Sequence, residues 1–300
     1  MTRTIWLASY PKSGNTWFRL LLANLGRDEP ADINDLSGRG GIASARRWFD
    51  DTMLFPAGLL THDECDRLRP RVHVARRDSG SCDELDDVDV PRGDVRFVKT
   101  HDAWTITADG EPLLGGAAAA DAAILIVRDP RDIASSLAGH NGQSVDAAID
   151  FMMRPDAAFC GRDDRQPNQL RQQLRGWSGF HASWIDQRVL PVHRVRYEDL
   201  QADVSDAFAR ALNFAEQPVS VEQVERAANF ADFAQLQAQE RSRGFREAPP
   251  RRRGAAAPRF FRNGRAGGWR SELTADQCAT IERAHGGMMA ALGYMPDSAA

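Results

Sequence analysis

The feature that most limits how this chain can fold lies at its start. Ile5–Ala8 is a short apolar run, Ser9–Gly14 is polar and turn-forming, and Thr16–Leu25 sets Phe18, Leu21, Leu22 and Leu25 on one helical side before Gly26. An apolar run without alternation suits a strand buried on both faces. Glycine after the last periodic position suits a helix stop. Strand, polar loop and helix therefore predict a parallel α/β unit whose loop opens directly onto a helix N-terminus.

The same signals recur. Arg96–Val98, Ala122–Val127 and Val192–Tyr197 predict further strands. Periodicity predicts helices near Ala43–Asp50, Thr61–Leu68, Pro130–Ala138, Asn168–Ile185, Asp203–Leu212, Val221–Asn229, Phe233–Glu240 and Thr274–Leu292. Proline is accepted in the first turn of a helix, which suits Pro130 as a start. Alternating strands and helices imply an α/β fold of the P-loop type: three layers, with a central, mainly parallel sheet flanked by helices. No internal repeat or compositional break divides the 300 residues, so residues 1–300 are read as one domain.

Composition narrows the partners. A formal net charge of −4 gives no reason to expect nucleic acid or an anionic membrane surface. The charge is uneven: Arg241–Arg270 is rich in arginine and holds Glu247 as its one acid. Cys65, Cys82, Cys160 and Cys278 are far apart and show no metal-ligand spacing, which predicts reduced thiols and no metal site. No apolar run approaches the roughly 20 residues of a membrane helix, and no charged leader precedes an apolar core, so a cytoplasmic location is expected.

Tyr10-Pro-Lys-Ser-Gly-Asn-Thr-Trp17 joins the first strand to its helix. Backbone amides at a helix start bind anionic oxygens, Lys12 adds a full charge, and Ser13 and Thr16 add hydroxyl donors. A turn that only caps the helix does not require this set. A magnesium-dependent nucleotide kinase or other ATP-binding protein is the alternative, but its loop reads GxxxxGK[ST]. Here Lys12 precedes Gly14, and no Gly-Lys-Ser/Thr follows.

Ser9–Trp17 (SYPKSGNTW) resembles the 5′-phosphosulfate loop of sulfotransferases that use 3′-phosphoadenosine-5′-phosphosulfate (PAPS) and release its desulfated product, PAP. The resemblance implies that Lys12, Ser13, Gly14, Asn15 and Thr16 hold the 5′-phosphate, and that Trp17 packs on adenine. Arg128-Asp-Pro-Arg-Asp-Ile-Ala-Ser-Ser136 is similar to the family's 3′-phosphate segment, which implies that role for Arg128 and Ser136. A planar guanidinium suits phosphate because it can donate two parallel charge-assisted hydrogen bonds. Arg131 and Asp132 are read as a helix-start cap and a surface ion pair.

Phe260–Arg270 resembles the family's C-terminal RKGxxGDWK segment, with Arg262 and Gly264 matching and Asn263, Gly268 and Arg270 departing from it. Arg262, Asn263 and Gly264 are thereby expected at the 3′-phosphate. Tyr197-Glu-Asp-Leu200 matches YEDL, which implies Tyr197 near adenine, and Phe233 falls where relatives place another adenine-packing aromatic. Lys99-Thr-His101 matches the family's KTH, which implies His101 as general base. Histidine titrates near neutrality, which suits the removal of a proton from a hydroxyl.

Lys12 would stabilise charge on the leaving phosphate, with Lys99 at the transferring group and Ser136 restraining Lys12. The remaining histidines, His140 among them, are read as structural. Trp177 and Trp184, seven apart on one helix face, are read as core. The family further implies a small-molecule acceptor, bearing a hydroxyl or an amine, and no metal. It implies variable acceptor-side or lid segments over 28–92, 145–167 and 242–259. The N-terminal half is similar to bacterial members of soluble type. The dimer motif of cytosolic relatives is not kept across Arg270–Ala279, which leaves oligomeric state open.

Overall fold

Alternation along the first strand decides the layering. The structure is a computed structural model that describes residues 2–36, 41–78, 95–162, 167–248, 259–262 and 264–294. Its strands are β1 (Arg3–Ser9), β2 (Val95–Thr100), β3 (Ala122–Val127), β4 (Ala158–Phe159), β5 (Gln172–Gln173) and β6 (Val192–Arg196). Ile5 and Leu7 face one side of the sheet, and Trp6 and Ala8 face the other; all four are buried. Both faces are thus covered, as expected for a parallel sheet linked by helical crossovers.

The main sheet has the order β2-β1-β3-β6, and every pairing is parallel. Leu7 pairs with Lys99 on one side and with Ile124 on the other. On the Ile5 face, Phe18 and Leu20–Leu22 of helix Asn15–Asn24 pack with Phe208 and Leu212 of helix Val204–Phe214. On the Trp6 face lie helices Pro130–Asn141, Gly176–Asp186 and Ala275–Ala291, which bury Leu137, Trp177, Trp184 and Met289. The two tryptophans are core, as read. Full burial of such apolar side chains contributes about 1.5–3 kcal/mol each.

From β1 the chain passes to β2 on one side, and β3 then adds on the other. The carboxyl end of β1 is therefore a topological switch point, the place where open α/β sheets bind ligands. Pro130 stands in the first turn of its helix, the Asp129 carboxylate accepts from the Arg131 amide, and Gly142 in the left-handed region stops the helix.

One helix differs from its sequence reading. Asn168–Ile185 is not a continuous helix: Gln172–Gln173 forms β5, antiparallel to β4, and the helix spans only Gly176–Asp186. Tertiary pairing overrides the local periodicity. The Leu170 amide donates to Ser44 O at 2.7 Å, and the Ala103 amide donates to Gln173 O at 2.7 Å. Arg175 and Gly176 then turn through the left-handed region, where a Cβ on Gly176 would lie 2.7 Å from Met152 O.

A buried ion pair sets this corner. Arg69, in helix His62–Asp78, donates to both carboxylate oxygens of Asp102 at 3.1 and 2.5 Å, and both side chains are sealed from solvent. Arg69 also donates to Arg171 O, and the Asp102 carboxylate accepts from the Gln173 amide. Removing one partner of a buried pair leaves an uncompensated charge. Arg69→Met is therefore expected to destabilise the chain by about 3–5 kcal/mol, read as a lower urea midpoint. Solvent-exposed Arg154, paired among the described residues with Asp156, should tolerate the same change.

Candidate functional site

The loops after β1, β2, β3 and β6 open into one cavity of about 940 Å³. Its wall includes Lys12, Gly14, Asn15, Thr16 and Trp17 from the first loop, and Lys99 and His101 from the second. It also includes Arg128 and Ser136 from the third, and Tyr197 after β6. Phe233, Arg262 and Gly264 complete the set. Residues spread from 12 to 264 are thus brought to a single concave surface. One of the described sequence candidates falls outside it: Ser13 is fully buried and does not line the cavity. Asn263 lies outside the described residues.

The β1 loop turns sharply. Lys12 (φ 70°) and Gly14 (φ 103°) both lie in the left-handed region. A Cβ on Gly14 would come within 2.6 Å of the Tyr197 ring, so only glycine lets this backbone lie against that ring. Helix Asn15–Asn24 begins directly after Gly14, aiming its first amides at the cavity. Asn15 braces the loop from beneath by donating to Leu7 O and Ser9 Oγ, both at 3.1 Å.

Trp17, Tyr197 and Phe233 gather at one end. Trp17 and Tyr197 meet edge to face with centroids 5.6 Å apart, and Trp17 Nε1 donates to Ala231 O. The Arg128 guanidinium lies over the Tyr197 ring at 4.2 Å and donates to Lys12 O and Arg265 O. Tyr197 in turn donates to Gly264 O at 2.9 Å. Gly264 is left-handed (φ 58°), and a Cβ there would sit 2.2 Å from the Phe233 ring. The aromatic end and the cationic end are thus built by the same close approaches of backbone to ring.

The C-terminal segment is fastened to the helix after β3. Asp132 accepts from the Gly267 and Trp269 amides at 2.7 and 2.8 Å, and is almost completely buried. Arg131, expected in a surface ion pair, is instead buried; it pairs with Asp129 and Glu282 and lies over the Trp269 ring. Arg262 pairs with Glu272 at 2.9 Å.

At the other end stand Lys12, Lys99 and His101. Lys12 is pulled down to about 8 by burial and then by Lys99 and Arg128. Lys99 is also lowered to about 8, by burial, with Glu247 opposing the shift. The Lys12 ammonium lies over the Phe260 ring at 4.0 Å, and among the described residues it forms no hydrogen bond with Ser136. Ser136 lines the same cavity, and Phe260 is the contact seen at the Lys12 ammonium.

His101 Nδ1 lies 2.7 Å from Ser9 O. A carbonyl only accepts, so Nδ1 carries the hydrogen and Nε2 keeps its lone pair. Burial, followed by Lys99, lowers this imidazole to about 3. It is therefore neutral and able to accept a proton at Nε2.

The sequence reading missed three groups. Arg19 and Glu247 line the cavity and pair at 2.7 Å, with Glu247 also accepting from Thr16 Oγ1 at 3.1 Å and lying 3.9 Å from Lys99 Nζ. The lone acid among many arginines was the available signal. His140, read as structural, also lines the cavity, one turn beyond Ser136 on the same helix. Of the expected variable segments, Ile42, Phe159 and Cys160 reach the wall, joined by Gln169 and Gln172 from beyond them. Helix His62–Asp78 instead supplies core and the buried ion pair. Arg246 and Glu247 reach the wall from the proposed lid segment, whose residues 249–258 lie outside the described residues.

Comparison with known proteins bears on this arrangement. A family model described as Sulfotransferase domain matches residues 122–293. No curated protein sequence matches the chain. The fold is similar to that of mouse sulfotransferase SULT7A1 complexed with PAP, at 15% identity and a TM-score of 0.55, covering 96% of this chain and 85% of that one. It is also similar to retinol dehydratase in complex with androsterone and inactive cofactor PAP, at 18% identity and a TM-score of 0.54, covering 95% and 80%. A complex of retinol dehydratase with retinol and PAP gives 19% identity and the same TM-score, covering 95% and 81%. At such identities the likeness concerns the fold. The matched span holds Arg128, Ser136, Tyr197, Arg262 and Gly264, whereas the Lys12 loop and Lys99–His101 lie upstream of it. No described helix is long and apolar enough to cross a membrane.

The His101 geometry has a direct spectroscopic consequence. In the ligand-free protein its ¹⁵N signals should report an Nδ1-protonated, neutral ring from pH 8 down to about 4. A ring titrating near 6.5 would contradict the arrangement.

Proposed function

The chain belongs to the sulfotransferase domain family, and on that premise we propose that it moves a sulfuryl group from PAPS to a hydroxyl of a small molecule, with His101 as general base. The observation that carries this reading is the meeting of Lys12, Lys99 and the His101 Nε2 lone pair at one end of a cavity whose other end holds Arg128 and three aromatic rings. The donor is one molecule with matching parts: a flat purine, a 3′-phosphate, a 5′-phosphate and a transferable sulfate.

The residues fit that donor. The amides from Gly14 to Thr16 and the Lys12 ammonium would take the 5′-phosphate. Trp17, Tyr197 and Phe233 would enclose adenine, and Arg128, Ser136 and Arg262 would face the 3′-phosphate. The close backbone approaches at Gly14 and Gly264 support this fit, because a side chain at either position would collide with the aromatic wall. The Arg262–Glu272 pair leaves part of that guanidinium engaged elsewhere. Complexes of a similar fold with androsterone and with retinol favour a small-molecule acceptor.

The acceptor hydroxyl would give its proton to His101 Nε2 as its oxygen bonds to sulfur. The bond from sulfur to the 5′-phosphate oxygen breaks, and PAP leaves with the added negative charge. Lys12 would face the oxygen on which that charge develops, and so would stabilise the transition state more than the ground state. Lys99 would act on the transferring oxygens. Ser9 O, already accepting from Nδ1, would hold the imidazolium that forms.

His101→Ala is expected to lower kcat by about 10²–10⁴-fold while leaving the Kd for PAP within about threefold, read by isothermal titration alongside labelled-PAPS turnover. Full activity in that variant would remove His101 from the mechanism. Affinity for magnesium-ATP without affinity for PAP would overturn the donor assignment.

The lysines set the pH behaviour. Their ammonium forms are needed and both titrate near 8 in the free protein, so kcat/KM should fall as pH rises through about 8. His101 should add no acidic limb above about pH 5.

A further inference from the structure

Three charged side chains from distant parts of the chain converge beside His101. Glu247 follows helix Phe233–Arg243, Arg19 belongs to the helix after the β1 loop, and Lys99 is the penultimate residue of β2. One Glu247 oxygen accepts from Arg19 at 2.7 Å. The other accepts from Thr16 at 3.1 Å and faces Lys99 Nζ at 3.9 Å. Arg19 is nearly buried and Lys99 is mostly enclosed, so each charge requires a counter-charge. Glu247 supplies it to both.

The geometry points to Glu247 as a positioning residue for the transfer step: its carboxylate holds the Lys99 ammonium beside His101 and ties it to the helix of the phosphate loop. This rests on the transfer reading given above. Glu247 is not a base, since the Lys99 and Arg19 charges hold it down to about 2 despite its burial. Its effect runs through Lys99. Burial pushes Lys99 toward the neutral amine, Arg19 pushes the same way, and Glu247 is the group that opposes them. His101 is depressed by Lys99, while Lys12 and His140 are the other titratable groups that feel this charge set. A neutral Lys99 would lose its hold on the transferring oxygens.

The Glu247 backbone also belongs to the stretch leading toward Phe260 and Arg262. Phe245, two residues earlier, packs on Phe260 and Phe261, and Phe260 carries the Lys12 ammonium on its face. Glu247 and Phe260 thus each meet one of the two lysines, the first through a carboxylate and the second through a ring.

The test compares wild type, Glu247→Gln and Glu247→Asp. The glutamine keeps shape and hydrogen bonding but removes the charge. Expected for Glu247→Gln are a kcat about 10–100-fold lower, a PAP Kd within about threefold, and an alkaline limb of kcat/KM at least half a pH unit lower. Glu247→Asp should restore the limb and part of kcat. An activity-independent readout is the ¹³C titration of Lys99, which should move to lower pH in Glu247→Gln. Unchanged kcat and pH profile would overturn the proposal. So would weaker PAP binding with no shift of either titration, which marks a merely structural contact. Tighter PAP binding at unchanged kcat would also overturn it, by showing the carboxylate to be only a competing anion. If wild type turns over no PAPS, the transfer reading fails; the Lys99 titration still reports on Glu247 alone.

Discussion

The corner that holds His101 depends on the Arg69–Asp102 ion pair. Asp102 directly follows His101, and its carboxylate is held at two oxygens by a guanidinium with no access to water. Such a pair gains little stability over an apolar substitute, but its two parallel hydrogen bonds fix geometry, and the Arg69 guanidinium also lies 3.4 Å from the buried Asp66 carboxylate. Through it, helix His62–Asp78, the end of β2 and strand β5 are locked in one arrangement. The Trp184 indole adds a further restraint by donating to Asp102 O. His101 is therefore aimed by its neighbour in sequence, and its own Nδ1–H has only to find Ser9 O.

Against that rigid corner stands an electrostatically uneasy cavity. Burial pulls Lys12 and Lys99 well below their ordinary range, and the charges of Lys99 and Arg128 lower Lys12 further. The burial of both charges and the repulsion felt by Lys12 are tolerated because the β1 loop, the sheet ends and the buried Asn15 side chain hold the backbone in place. Charge held in position before a ligand arrives need not be reorganised during reaction, which is the advantage of a preorganised polar site. Bound anions would relieve the repulsion and return both lysines toward full protonation.

Much of this was legible in the sequence, for identifiable reasons. Strands β1 and β3 are short, almost wholly buried runs such as Ala122–Val127, and buried parallel strands show in composition alone. The loop candidates were legible because amide cradles demand glycine and small polar residues at fixed spacing. What stayed hidden depends on distance along the chain. Glu247 meets Arg19 across 228 positions, and Gln173 meets Asp102 across 71. The stretch Asn168–Arg175 has helical periodicity yet is drawn into pairing with Ser44 and Ala103. Ser13 follows the loop's pattern, but only the fold shows that its side chain turns inward.

The double grip of Asp132 on the amides of Gly267 and Trp269 has a consequence for evolutionary exchange. A carboxylate in the first turn of the helix after β3 completes the backbone hydrogen bonding of a segment 135 residues downstream. The two elements therefore form one structural unit, although the chain writes them far apart. A chimaera that imported the distal segment without its matching helix would bring unsatisfied amides along with its arginines. Recombination within this fold should keep both halves together or neither.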